Sequence, residues 1–159
     1  MKDIRAIALD VDGVLTDGGV WWGPDAQEWK RFSYTDIMGV SLGMKAGLVF
    51  ALISGEDSPL VDRFASKLGI TCVEKNCKDK SGALQRFSGS TRIALSAIGY
   101  MGDDVNDLGA MELAGLAAAP SDAHPAARRC AAFVASRGGG NGAVRELIDA
   151  VLAAKAADV

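Results

Sequence analysis

Histidine, cysteine and proline are scarce in this 159-residue chain, which has one, three and four of them. A single histidine, His124, excludes chemistry that needs two, H-E-x-x-H zinc sites included. Cys72, Cys77 and Cys130 are odd in number and lack C-x-x-C spacing, so neither a disulfide framework nor a zinc site is expected. They read as reduced thiols of a cytoplasmic protein. A basic excess is missing too. The formal net charge of −3 argues against nucleic acid and anionic membranes as partners. No apolar run approaches the roughly 18–20 residues of a membrane span. The apolar start of the chain is cut by Asp10 and Asp12, which argues against a signal peptide.

What is present is the composition of a globular protein, 49% hydrophobic and 23% charged, read as one domain over residues 1–159. Apolar runs at Ile4–Leu9, Gly47–Ile53 and Ala97–Met101 read as buried strands. Weaker strand signals lie at Thr71–Val73, Leu116–Ala119 and Ala132–Val134. Between them, helices are predicted at Met38–Ala46, Pro59–Leu68, Lys80–Phe87, Asn106–Ala114, Ala123–Arg129 and Ala143–Lys155. Ser58 caps the second of these, Pro59 suits its first turn and Gly69 ends it. The alternation predicts an α/β fold, a Rossmann-like, doubly wound, mostly parallel sheet covered on both faces.

One segment breaks the alternation. Gly19–Trp22 and Gln27–Tyr34 are strand-like and flank the turn signal Gly23-Pro24-Asp25-Ala26. This predicts a β-hairpin flap over about residues 19–34, straight after the first strand. All three tryptophans, Trp21, Trp22 and Trp29, lie in it. They pack either onto the body of their own subunit or against another subunit. The second reading is preferred, because a lone hairpin is unstable unless its apolar face is covered.

Ligands of an open parallel sheet bind beyond the carboxyl ends of its strands. There the sequence places Asp10-Val11-Asp12-Gly13, Ser54-Gly55-Glu56 and Gly102-Asp103-Asp104, with Lys80 at a helix start. Acidic residues converging on one edge repel one another, and a hard divalent cation with oxygen ligands, Mg²⁺, resolves the conflict. A Mg²⁺ with open positions favours a phosphate, whose other oxygens Ser54 and Lys80 can hold. Taken singly, each residue has an ordinary structural role open to it, as turn residue, cap or surface charge.

The order D-x-D-G-V-L-T-D-G, then S-G, then Lys, then G-D-D-x-x-D resembles the haloacid dehalogenase superfamily of phosphotransferases over essentially the whole chain. The resemblance implies the roles. Asp10 is then the nucleophile that takes the phosphoryl group, and Asp12 protonates the leaving oxygen and later activates water. Ser54 and Lys80 bind the phosphoryl oxygens. Asp10, the main-chain carbonyl of Asp12, and Asp103 hold Mg²⁺, supported by Asp104 and Asp107. On an ideal strand Asp10 and Asp12 share a face.

The intervals Asp12–Ser54 and Ser54–Lys80 are filled by the hairpin, two helices and two strands, which leaves no room for a cap domain. The chain resembles the capless branch of 3-deoxy-octulosonate 8-phosphate phosphatases and their nonulosonate relatives. That likeness rests on the D-V-D-G-V-L-T-D-G start, Ala123-His124-Pro125 and the Gly138–Glu146 stretch. It implies a homotetramer whose subunits cap one another, a sugar-acid phosphate as substrate, and Arg145 near the site. Octulosonate enzymes usually carry Arg just after the S/T-G pair, whereas this chain has Glu56, with Lys67 on the following helix. Gly55, Glu56 and Lys67 are therefore expected at the substrate, and the chain looks closest to the 2-keto-3-deoxy-nonulosonate 9-phosphate phosphatases. The octulosonate activity is the alternative. A receiver domain also clusters Asp, Ser and Lys, but it would carry its phosphoacceptor on a later strand. A catalytically weak assembly domain is the other rival, and the complete Asp10, Asp12, Ser54, Lys80 and Asp103 set speaks against it.

Overall fold

Four consecutive apolar residues need cover on both sides, and β1 (Ala6–Leu9) has it: every one is buried. The structure is a computed structural model that describes residues 1–157. Strand β1 lies at the centre of a six-stranded sheet, between β4 (Val49–Ile53) and β6 (Ile98–Met101). Beyond β4 lies β5 (Cys72–Glu74), and beyond β6 lie β7 (Leu116–Ala119) and β8 (Phe133–Val134). Every pairing in this sheet is parallel.

Side chains alternate across β1 as a strand requires. Ile7 and Leu9 enter one core with Val40, Phe50, Leu52, Phe64, Leu147 and Ile148. Ala6 and Ala8 enter the other with Leu84, Phe87, Ile98, Tyr100 and Met111. Helices α1 (Tyr34–Lys45), α2 (Pro59–Leu68) and α6 (Ala143–Ala156) cover the first face. Helices α3 (Lys80–Thr91), α4 (Leu108–Leu113) and α5 (Pro125–Cys130) cover the second. This is the doubly wound fold expected. None of these helices is long and apolar enough to cross a membrane.

The flap is real but smaller than the strand-like stretches suggest. Only Trp21–Trp22 (β2) and Glu28–Trp29 (β3) pair, antiparallel, with Trp21 opposite Trp29. The second stretch stops early because Ser33 caps α1: its Oγ accepts the Thr35 N–H at 3.2 Å, and the helix begins at Tyr34 rather than at Met38. The flap does not lay its tryptophans on its own subunit. Trp21 is 73% exposed, Trp22 77% and Trp29 51%, with Tyr34 also exposed.

Candidate active site

Strand β1 ends at Leu9, and Asp10 prolongs it by one rung, donating its N–H to the Met101 carbonyl at 3.0 Å. The chain then turns, with the Val11 carbonyl accepting from Val14, Leu15 and Thr16. Asp10 and Asp12 thus share a cavity through this turn and not through strand alternation, the geometry the sequence suggested. The turn needs glycine at position 13. Its φ is +86°, and a Cβ there would overlap the Asp103 carboxylate. The Gly-rich stretch packs against the same loop: Gly140 N–H donates to the Val14 carbonyl at 2.9 Å, and Gly139 N–H to Asp122.

Asp10, Asp12, Gly55, Glu56, Lys80, Asp103, Asp104 and Asn106 line a cavity of about 260 Å³ at the carboxyl ends of β1, β4 and β6. Beneath it runs a buried network. Lys80 Nζ lies 2.9 Å from Asp10 Oδ1 and 2.7 Å from Asp107 Oδ1, and all three residues are at most 5% exposed. A lysine in a first helical turn opposes the helix dipole, and these two carboxylates are what make it tolerable. Burial works against the Lys80 charge, yet Asp10 and Asp107 hold its ammonium above the ordinary lysine range.

The structure gives Asp107 more to do than the supporting place expected for it. Its Oδ1 also accepts the Tyr100 hydroxyl at 2.7 Å, and its Oδ2 accepts the N–H groups of Asp103 and Asp104 at 3.0 and 3.1 Å. Tyr100 is a further site residue that sequence reading passed over. A buried tyrosine on a central strand needs a partner for its hydroxyl, which was the available signal.

Asp10, Asp103 and Asp107 each offer a carboxylate oxygen within 4.8 Å of the others. Burial and then the Asp107 charge push the Asp10 carboxyl well above the usual range, and the same causes push Asp103 to about 6. Crowded acids with oxygen donors alone fit a hard cation. Four donors already use the Asp107 oxygens, so Asp10 and Asp103 are the ligands with lone pairs to give.

Ser54 is fully buried past the end of β4, and its Oγ accepts the Glu56 N–H at 3.2 Å, which shapes the loop that presents Gly55 and Glu56 to the cavity. Two expected substrate residues stand apart from that cavity. Lys67 lies near the far end of α2, about 12 Å of helix rise beyond its first residue, with its ammonium over the Tyr34 ring. It lines a separate cavity of about 350 Å³ with Lys30, Phe32, Arg63 and Phe64. Arg145 turns along α6 to Asp149, one turn on, at 2.8 Å.

No family model matches the chain. It is 36% identical over 154 residues to the 3-deoxy-D-manno-octulosonate 8-phosphate phosphatase of Escherichia coli K12, which covers 97% of this chain and 82% of that protein. The Moraxella catarrhalis phosphatase of the same name, solved in complex with magnesium ion, phosphate ion and a KDO molecule, superposes with a TM-score of 0.95 at 35% identity. That match covers 98% of this chain and 89% of the other. A haloacid dehalogenase superfamily (subfamily III A) hydrolase from Legionella pneumophila gives 0.95 at 37% identity, covering 98% and 85%. With identity of this level along nearly its full length, the chain belongs to the 3-deoxy-D-manno-octulosonate 8-phosphate phosphatase family of the haloacid dehalogenase superfamily, a family of sugar-acid phosphate monoester hydrolases.

Proposed function

We propose that this protein is a Mg²⁺-dependent phosphatase acting on 3-deoxy-D-manno-octulosonate 8-phosphate. The observation that carries the reading is Asp10, whose Oδ1 meets Lys80 Nζ at 2.9 Å where Asp10 and Asp103 line the cavity above Asp107. The eight-carbon substrate is supported by the 36% identity to the E. coli enzyme, which favours it over the nonulosonate expected from Glu56.

In this reading Asp10, Asp103 and the Asp12 main-chain carbonyl would hold Mg²⁺, and the ion would supply charge neutralisation for the phosphoryl group. Asp10 attacks phosphorus, the ester P–O bond breaks, and an aspartyl-phosphate forms. Asp12 gives its proton to the departing sugar oxygen. As a carboxylate, Asp12 then takes a proton from water, whose oxygen attacks phosphorus and frees phosphate and Asp10. Lys80 neutralises the phosphoryl oxygens, and the Ser54–Gly55 loop holds them. The reading treats residues 1–159 as one hydrolase domain of the cytoplasm. It takes the exposed Trp21, Trp22 and Trp29 as a surface for a second copy in a homotetramer.

Phosphate release with Mg²⁺ tests it, comparing the octulosonate 8-phosphate with a nonulosonate 9-phosphate. Release from neither overturns the activity. Preference for the nine-carbon ester restores the nonulosonate reading, which one observation favours: Glu56 lines the cavity beside Asp12.

A further inference from the structure

One side chain of the flap pairs with a carboxylate of the site. Lys30 follows β3 on an exposed hairpin, yet its side chain is only 4% exposed, a degree of burial that lysine accepts only when paired. Its Nζ lies 2.8 Å from Asp12 Oδ1 and 3.4 Å from Glu28 Oε1. Glu28 is a junction. Its Oε1 also accepts the Ser58 hydroxyl at 3.0 Å, at the N-cap of α2, and its Oε2 accepts the Trp22 indole N–H at 3.4 Å. Asp12, Trp22, Glu28, Lys30 and Glu56 line a further cavity of about 320 Å³, which shares Asp12 and Glu56 with the one lined by Asp10.

We propose that Lys30 is a positioning residue for Asp12: it fixes the carboxyl by Oδ1, leaves Oδ2 for the substrate, and couples proton transfer to the docking of the flap. The Glu28–Ser58 contact clamps the hairpin to α2, so Lys30 approaches Asp12 from a fixed side. The Asp12 carboxyl remains 30% exposed and opens into the cavity, as a group that must meet a leaving oxygen requires. The inference rests on the acid–base role of Asp12 proposed above.

A positioned acid matters most when the leaving group is poor. An alkyl phosphate expels a strongly basic alkoxide and needs the proton, whereas 4-nitrophenyl phosphate expels a weakly basic phenoxide. The test is kcat/KM, which reports the phosphoryl-transfer step, measured on both esters. The alkyl ester is whichever sugar-acid phosphate the wild-type enzyme prefers. For Lys30→Met we expect a loss of about 30-fold on the alkyl ester and about 3-fold on the aryl ester, part of the 10²–10⁴ that general acid catalysis supplies. Lys30→Arg should restore most of the alkyl activity. Remaining turnover of the aryl ester shows that the variant is folded. Equal losses on both esters, or no loss on either, overturn the positioning role. Asp12→Asn separates the two ideas. If it too lacks the alkyl bias, the acid–base reading of Asp12 fails, and this proposal fails with it. If it has the bias and Lys30→Met does not, only the role of Lys30 fails.

Discussion

Asp36, in the first turn of α1, caps a helix whose N-cap residue lies 106 positions later: its Oδ2 accepts the Gly142 N–H at 3.1 Å, and its Oδ1 the Arg145 N–H at 3.0 Å. Gly142 has no side chain with which to cap α6 itself, so a buried carboxylate from another helix satisfies the free amides. The two helices are thereby pinned at the end that carries the Gly-rich stretch.

Asp36→Ala should cost about 2–3 kcal/mol, because buried amides lose their acceptor. The fall in Tm should be roughly 5–10 °C for a domain of this size. Asp36→Asn keeps one acceptor and should lose about half as much. A thermal melt decides, and an unchanged Tm for Asp36→Ala would falsify the capping role.

Asp10→Asn should lower turnover about 10⁴-fold or more, since an amide is a poor nucleophile and a weak metal ligand. Lys80 keeps Asp107 as its partner, so the variant should still fold. EDTA should stop the wild-type enzyme, and added Mg²⁺ should restore it. Phosphate release that is near normal in Asp10→Asn, or untouched by EDTA, contradicts the mechanism.

Replacing Trp21 and Trp22 with serine removes two rings that are each more than 70% exposed on the single chain. If these rings serve the proposed homotetramer, sedimentation velocity should show it giving way to smaller species, with activity falling alongside. A fully active wild-type monomer at assay concentration would show that these rings serve no second copy.

Glu56→Ala tests whether this carboxylate reads the sugar. A group that bonds a substrate hydroxyl should cost about 10-fold on the preferred ester and less on the other. Equal losses on the eight- and nine-carbon esters would leave Glu56 without a part in specificity.

Where signals were local, the sequence was enough. Helix α2 runs from Pro59 to Leu68 as Ser58 and Gly69 announce, and the three long strands lie where their unbroken apolar runs place them. The site carboxylates were legible because strand ends fix where they converge. The start of α1 also has a local signal, the Ser33 cap, but the strand-like stretch Gln27–Tyr34 runs over it, and the burial of Asp36 depends on partners 106 and 109 positions away. Tyr100 was hidden in the same way: its hydroxyl partner, Asp107, lies beyond the strand it sits on. Lys67 and Arg145 show a different limit. Their positions along α2 and α6 could be read, but their side-chain directions depend on Tyr34 and Asp149.

The packing of Gly139 and Gly140 against the loop of Gly13 to Thr16 leaves no space for a Cβ at either glycine, so the loop after the first strand and the loop before the last helix meet backbone to backbone. Loosening one partner should therefore release the other as a cooperative unit. The amides of Gly13 and Gly18, which donate to the Thr16 hydroxyl, and that of Gly140, which donates to Val14, should share one opening free energy in native-state hydrogen exchange. Asp36→Ala should lower their protection together, though it touches none of them. Protection lost at Gly140 alone would mean that the nucleophile's loop keeps its shape independently of the chain's last helix.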